Sequence, residues 1–111
     1  MEKSNSGELL QGTLPLLVLR ILASGPNHGF AIARRIQVIS RDVLRAEEGS
    51  LYPALHRMEL EGWIDSEWGT SENNRKAKYY RLTALGRKQL KAETERWNSI
   101  AGAIFAILTE A

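Results

Sequence analysis

The chain has no cysteine, which excludes disulfides, thiol redox sensing, cysteine nucleophiles and cysteine-bearing zinc sites, and fits a reducing compartment. It has only two histidines, His28 and His56, far apart in sequence, so no metal centre is expected and nothing points to a cofactor. Long apolar runs are missing too. The longest, "LPLLVLRILA" from Leu14 to Ala23, is broken by Arg20 and falls far short of the ~20 residues a membrane span needs. The opening "MEKSNSGE" is polar and lacks a signal-peptide core, so a soluble, cytoplasmic protein with no membrane partner is expected. There is no glycine-rich phosphate loop, no shielded carboxylate pair and no histidine cluster, and an enzyme is not expected.

What remains is 111 residues, enough for one domain with a single hydrophobic core. The net charge of +2 is small but unevenly distributed. Residues 75–91 hold seven cations, Arg75, Lys76, Lys78, Arg81, Arg87, Lys88 and Lys91, with no acid among them. A solvated surface is the plain reading of such a run. A polyanionic partner is the other.

The apolar pattern divides the chain into helices and a hairpin. Residues 1–8 read as a disordered leader, and Thr13 as the N-cap of a helix to about Ala23, with Pro15 in its first turn. Its apolar residues, among them Leu16, Leu17 and Val18, cover more than one face, which predicts packing on two sides, one open to a second subunit. "SGPNHG" is a turn by composition, with His28 as a capping or packing residue. A second helix follows to about Ser40, with Ile32, Ile36 and Ile39 inward and Arg34, Arg35 and Gln37 outward. The connector "RDVLRAEEG" is expected to anchor on the core through Val43 and Leu44.

The third helix lies within "EEGSLYPALHRMELEGWI". Ser50 is its N-cap candidate, Pro53 falls in the first turn and Gly62 supplies the stop. Leu51, Leu55 and Met58 form one apolar stripe, which turns Tyr52, Pro53, His56 and Arg57 outward. Leu60 points off that stripe and is expected to pack near the hairpin, while Glu59 and Glu61 read as solvated charge and Glu47 and Glu48 favour the helix start through its dipole. "WIDSEW" and "AKYYRL" alternate as strands, and the polar segment between them, with Gly69 and Asn73-Asn74, closes a hairpin. Of Tyr79 and Tyr80, alternation places one in the core and the other outside. Thr83 caps a last helix to about Thr109.

Three helices, a hairpin and a last helix, with the third helix polar outside and the hairpin basic, is the order of a winged helix-turn-helix domain. In that arrangement the third helix enters the major groove and the wing reaches phosphates or the minor groove. Arg57 can offer paired donors to guanine, His56 and Tyr52 can donate to phosphate or a base edge, and Arg75, Lys76 and Lys78 can neutralise phosphates. A winged helix used only for protein interaction, without sequence-specific DNA binding, is the alternative, since fold does not fix function.

The stretches "LLQGTLPLLVLRILASGPNHGFAIARRI", "GSLYPALHRME" and "KYYRLTALGR" resemble the PadR family of bacterial transcriptional regulators over residues 9–90. The resemblance implies a mainly α fold with a small β-hairpin: a winged helix-turn-helix DNA-binding domain over 9–82 and a C-terminal dimerisation helix over 83–111. It also implies a repressor acting as a homodimer on double-stranded DNA. By position, Ser50, Tyr52 and Pro53 fall in the family's recognition-helix motif, Arg57 on its outward face, and Arg75, Lys76 and Lys78 in the basic wing. Three departures stand out: Pro15 where an acid is common, Phe30 for the usual tyrosine, and Asn73-Asn74 where glycine is frequent.

Along the last helix Leu90, Trp97 and Ile104 recur seven apart, and Ile100 and Ile107 fall three beyond the latter two, a coiled-coil-like seam. Ala101, Phe105 and Leu108 add a second apolar stripe. One stripe can cover the chain's own domain, while the other needs outside cover, which predicts a dimer through Leu17, Trp97, Ile100, Ile104, Ile107 and Leu108. Some family members bind aromatic ligands at the dimer interface, which makes Trp97 the candidate platform for a small aromatic ligand. A tryptophan among isoleucines with only Arg96 and Asn98 beside it reads more simply as interface core.

Overall fold

The computed structural model describes residues 3–111, with side chains from residue 12 onward. The elements run α1 (Lys3–Leu22), β1 (Asn27–His28), α2 (Gly29–Ile39), α3 (Glu48–Leu60), β2 (Ile64–Thr70), β3 (Lys76–Leu82) and α4 (Ala84–Glu110). Met1 and Glu2, part of the expected leader, lie outside the described residues.

The first helix corrects the sequence expectation. α1 takes in residues 3–8, read from the sequence as part of a leader, and Thr13 and Pro15 fall inside it, so Thr13 is no N-cap. An interior proline loses its own N–H bond and crowds the carbonyl four residues before it, and the helix formers Glu8, Leu9, Leu10 and Gln11 favour helix on the N-terminal side. Leu14, Val18, Leu19, Ile21 and Leu22 are buried, and Leu17 is half-buried against the same core.

Around α1 the core is completed by Ile32 and Ile36 of α2, by Leu51, Ala54, Leu55 and Met58 of α3, and by Ile64 and Tyr80 of the sheet. The stripe predicted on α3 is therefore the buried one. Leu55 is fully enclosed, and truncating such a residue to alanine costs about 2–5 kcal/mol. Two expected anchors are not buried: Ile39 is 60% exposed and Val43 is 69% exposed. Both sit where the chain leaves α2 through Ser40, and Leu44 alone of the pair Val43-Leu44 packs on the core.

The segment between α2 and α3 is shaped by two residues in the left-handed region, Arg41 (φ 54°) and Asp42 (φ 69°). The Ser40 hydroxyl accepts from Leu44 N–H at 3.0 Å, and Asp42 holds Arg45 through two bonds of 3.0 and 2.7 Å. The Arg45 guanidinium, with help from the Gln37 amide, pushes the Asp42 carboxyl below its ordinary value.

The sheet has three strands, not two, in the order β1-β3-β2, all antiparallel. The two residues of β1 lie in the segment read as a turn, and they pair with β3 as Asn27 with Tyr80 and His28 with Tyr79. Two residues are too short a run to show period-2 alternation, so pattern alone does not reveal this strand. The β2–β3 hairpin closes over 71–75: Ser71 N–H donates to the Arg75 carbonyl at 2.8 Å and Asn74 adopts φ 60°. Of the Asn73-Asn74 pair, only Asn74 takes the left-handed conformation, and Gly69 lies within β2 opposite Ala77.

Thr83 is the N-cap of α4, its hydroxyl accepting from Gly86 N–H at 3.0 Å. The same oxygen lies 2.7 Å from the Gly62 carbonyl and 3.0 Å from that of Trp63, so the cap also ties α4 to the end of α3. The radius of gyration, 15.1 Å, exceeds the about 13 Å expected of a compact chain this long.

Candidate nucleic-acid interface

Helix α3 is built differently at its start from what the sequence suggests. Its N-cap is Glu47, which makes no side-chain cap bond, and Ser50 lies inside the first turn. The Glu47 carbonyl accepts from Ser50 N–H at 2.9 Å and Leu51 N–H at 2.8 Å, so the cap lies three residues before Ser50. Pro53 then stands beyond the first turn and leaves the Gly49 carbonyl without its usual helical donor. The C-terminal end is as expected. Gly62, at φ +81°, donates to Glu59 and Trp63 donates to Met58, both at 3.0 Å, a glycine-closed helix end.

The outward side of α3 presents Ser50, Pro53, His56 and Arg57 to solvent, with Tyr52 42% exposed. Tyr52 does more than face outward. Its ring packs on Gly29 at the start of α2, and burial first, then the Glu48 carboxylate, raises its phenol above the ordinary tyrosine value.

His28 caps α2, its Nδ1 accepting from Ala31 N–H at 3.2 Å, and its ring meets Tyr79 edge-on at 5.3 Å between centroids. Tyr80 is the core tyrosine of the pair, and Tyr79 donates its hydroxyl to the Thr70 carbonyl at 3.1 Å. A cleft of about 690 Å³ opens between the wing and the starts of α2 and α3. Phe30 and Trp68 stand exposed on its two sides, and Arg75 and Lys76 line its wing wall.

The basic run is less free than its sequence suggests. Arg81 pairs with Asp65 at 2.9 Å and reaches Glu67 at 3.8 Å on the outer side of the sheet, and the Asp65 hydrogen bond raises its pKa. Lys78 pairs with Glu59 of α3 at 3.4 Å. Among the described residues no acid pairs with Arg75 or Lys76. Lys76 sits over the Trp68 ring at 5.7 Å, within cation–π range.

Two expectations about the end of α3 are corrected. Leu60 does not pack near the hairpin; it is 74% exposed. Glu59 makes the contact instead, accepting from Ser66 Oγ at 2.6 Å, and so is not a solvated charge. Its place beside Met58, at the margin of the buried stripe, is the one sequence signal that could have found it. Arg34 and Arg35 are exposed on α2, as expected.

Residues 18–92 match the transcriptional regulator PadR-like family. The chain belongs to that family. A transcriptional regulator of Mycobacterium tuberculosis is 32% identical over 94 residues, which cover 85% of this chain and 84% of that protein. Among solved structures, a PadR family transcriptional regulator from Eggerthella lenta is 29% identical with a TM-score of 0.81, covering 98% of this chain and 93% of that one. A PadR-like transcriptional regulator from Bacillus cereus is 26% identical with a TM-score of 0.80, covering 94% and 99%. This PadR-family regulator therefore has the winged-helix fold expected from its sequence, with β1 as an added third strand. Among the described residues no helix is long and apolar enough to cross a membrane, and no group of three or more histidines, aspartates or glutamates is placed to hold a metal.

Proposed function

We propose that this PadR-family regulator is a cytoplasmic repressor that binds double-stranded DNA as a homodimer, reading an inverted repeat. The observation that carries the reading is the cleft that Tyr52 of α3 shares with Arg75 and Lys76 of the wing, two cations with no acidic partner among the described residues, on a helix whose His56 and Arg57 are exposed. Arg57 offers bidentate donors to guanine, His56 and Tyr52 reach a phosphate or base edge, and Arg75 and Lys76 neutralise phosphates. Phosphate contacts position the protein, and the outward residues of α3 specify sequence.

The dimer is carried by α4. Trp97, Ile100, Ile104, Phe105, Ile107 and Leu108 are between 38% and 76% exposed in the single chain, an apolar strip that a second copy would cover. Leu17, half-buried on α1, borders the same interface in this reading, and Trp97 is part of its core. Two recognition helices about 34 Å apart would then meet successive major grooves on one face of the duplex.

The deciding experiment is fluorescence anisotropy with labelled DNA from upstream of the regulator's own gene and of neighbouring genes, at two salt concentrations. Binding that weakens steeply with salt is expected. No binding at low salt to any of these duplexes would overturn the reading and favour a protein-interaction role.

A further inference from the structure

One carboxylate joins the recognition helix to both strands of the wing. Glu59 lies near the C-terminal end of α3, with its side chain 25% exposed. Its Oε2 accepts from Ser66 Oγ of β2 at 2.6 Å, and its Oε1 accepts from Lys78 Nζ of β3 at 3.4 Å. The three side chains share a patch with Tyr80, the register partner of Ser66, and the Lys78 ammonium lies 5.7 Å from the Tyr80 ring centroid. Burial, then the Glu59 carboxylate, then Tyr52 raise the Tyr80 phenol above its ordinary value.

We propose that Glu59 is a positioning residue that fixes the wing against the recognition helix and holds the Lys78 ammonium away from phosphate. The inference rests on the DNA-binding reading above and divides the wing cations into two kinds. Arg75 and Lys76, at the tip and without acidic partners among the described residues, neutralise DNA. Lys78 closes the joint. Because both Glu59 oxygens are engaged, one on each strand, the bond to β2 and the ion pair to β3 together set the distance between the base-reading side chains and the phosphate-binding tip. A wing free to swing would still bind DNA, but it would hold its cations out of step with the bases that α3 reads.

The test uses the full chain with Lys78→Met, Glu59→Gln and their combination, on a duplex from upstream of the regulator's own gene and an unrelated duplex of equal length. Lys78→Met alone is expected to leave the salt slope unchanged. Glu59→Gln frees the ammonium, steepens the slope by about one unit and lowers the affinity ratio between the two duplexes about tenfold. The combination returns the slope to its wild-type value. Ser66→Ala, which leaves the ion pair in place, is expected to lower the affinity ratio without moving the slope. A purely structural role would weaken both duplexes alike at constant slope. An unchanged slope in Glu59→Gln, or a slope reduced by Lys78→Met alone, overturns the proposal. Hydrogen exchange separates the two readings: Glu59→Gln is expected to speed exchange across residues 64–82 and spare α1. If the wild type binds no DNA, the DNA reading fails by itself, and unchanged exchange in Glu59→Gln would overturn the joint independently.

Discussion

The Tyr52 ring of α3 rests on Gly29 at the start of α2, so closely that a methyl group on Gly29 would stand 2.5 Å from the phenol oxygen and 2.7 Å from the ring carbons Cε1 and Cζ. The two helices of the helix-turn-helix are thus held face to face at a point where a Cβ would fit only if the Tyr52 ring moved aside. Ring carbons are crowded as well as the hydroxyl, so removing the oxygen alone would not relieve the clash.

Gly29→Ala is therefore expected to cost about 1–3 kcal/mol through overpacking. Tyr52→Ala should relieve that penalty within a double-mutant cycle, while Tyr52→Phe should relieve little of it. Urea unfolding of the four proteins measures both effects. Full additivity of Gly29→Ala and Tyr52→Ala would contradict the contact.

Base reading and phosphate binding should separate by mutation. Arg57→Ala is expected to cost about 1–3 kcal/mol on the operator and to relax preference at one position per half-site, whereas Lys76→Ala should weaken all sequences alike and lower the salt slope by about one unit. Binding to a panel of single-base operator variants at several salt concentrations distinguishes them. Identical behaviour of the two variants would remove the division of labour between helix and wing.

The apolar strip on α4 predicts an association that one charge can break. Ile104, 50% exposed, lies mid-strip, and Ile104→Glu is expected to convert a dimer into a monomer while leaving the melting of the winged-helix core nearly unchanged. Sedimentation equilibrium reads the mass. A wild-type chain that sediments as a monomer at high micromolar concentration would rule out the dimer.

Alkaline stability should depend on Tyr80. Its folded pKa lies above the unfolded value, because burial and then the nearby Glu59 carboxylate disfavour the phenolate. The folded state thus holds the proton more tightly. Its contribution to stability is fully present below about pH 10 and is lost as pH rises through the folded pKa. Unfolding free energies measured between pH 8 and about 11 should fall more steeply at the top of that range in the wild type than in Tyr80→Phe.

Legibility in the sequence followed the strength of local signals. The Leu51, Leu55 and Met58 stripe, the Gly62 stop and the Thr83 cap are each set by chemistry within a few residues, and each is found where the pattern puts it. Failures came where the deciding partner is distant. The β1 strand exists only because Tyr79 and Tyr80 lie beside Asn27 and His28, a pairing that no window on "SGPNHG" contains. Ser50 has an N-cap's chemistry, but Glu47 starts the helix earlier without a side-chain bond. In the surface read for DNA binding, residue types pointed to Arg57, Arg75 and Lys76, whereas the Glu59 contacts to Ser66 and Lys78 depend on how α3 packs against the hairpin.

The Thr83 hydroxyl sits where three elements meet: the end of α3 through Gly62 and Trp63, the end of β3, and the first turn of α4. From that point α4 extends through 27 residues, about 40 Å at 1.5 Å per residue. Gly86, close against the Trp63 carbonyl, and Leu90, packed on the core, hold the same end, so α4 is rooted beside the end of α3. One degree of tilt at that root moves the far end by about 0.7 Å over that length, so in the proposed dimer a small adjustment where the two copies meet would be geared down into fine angular control of α3.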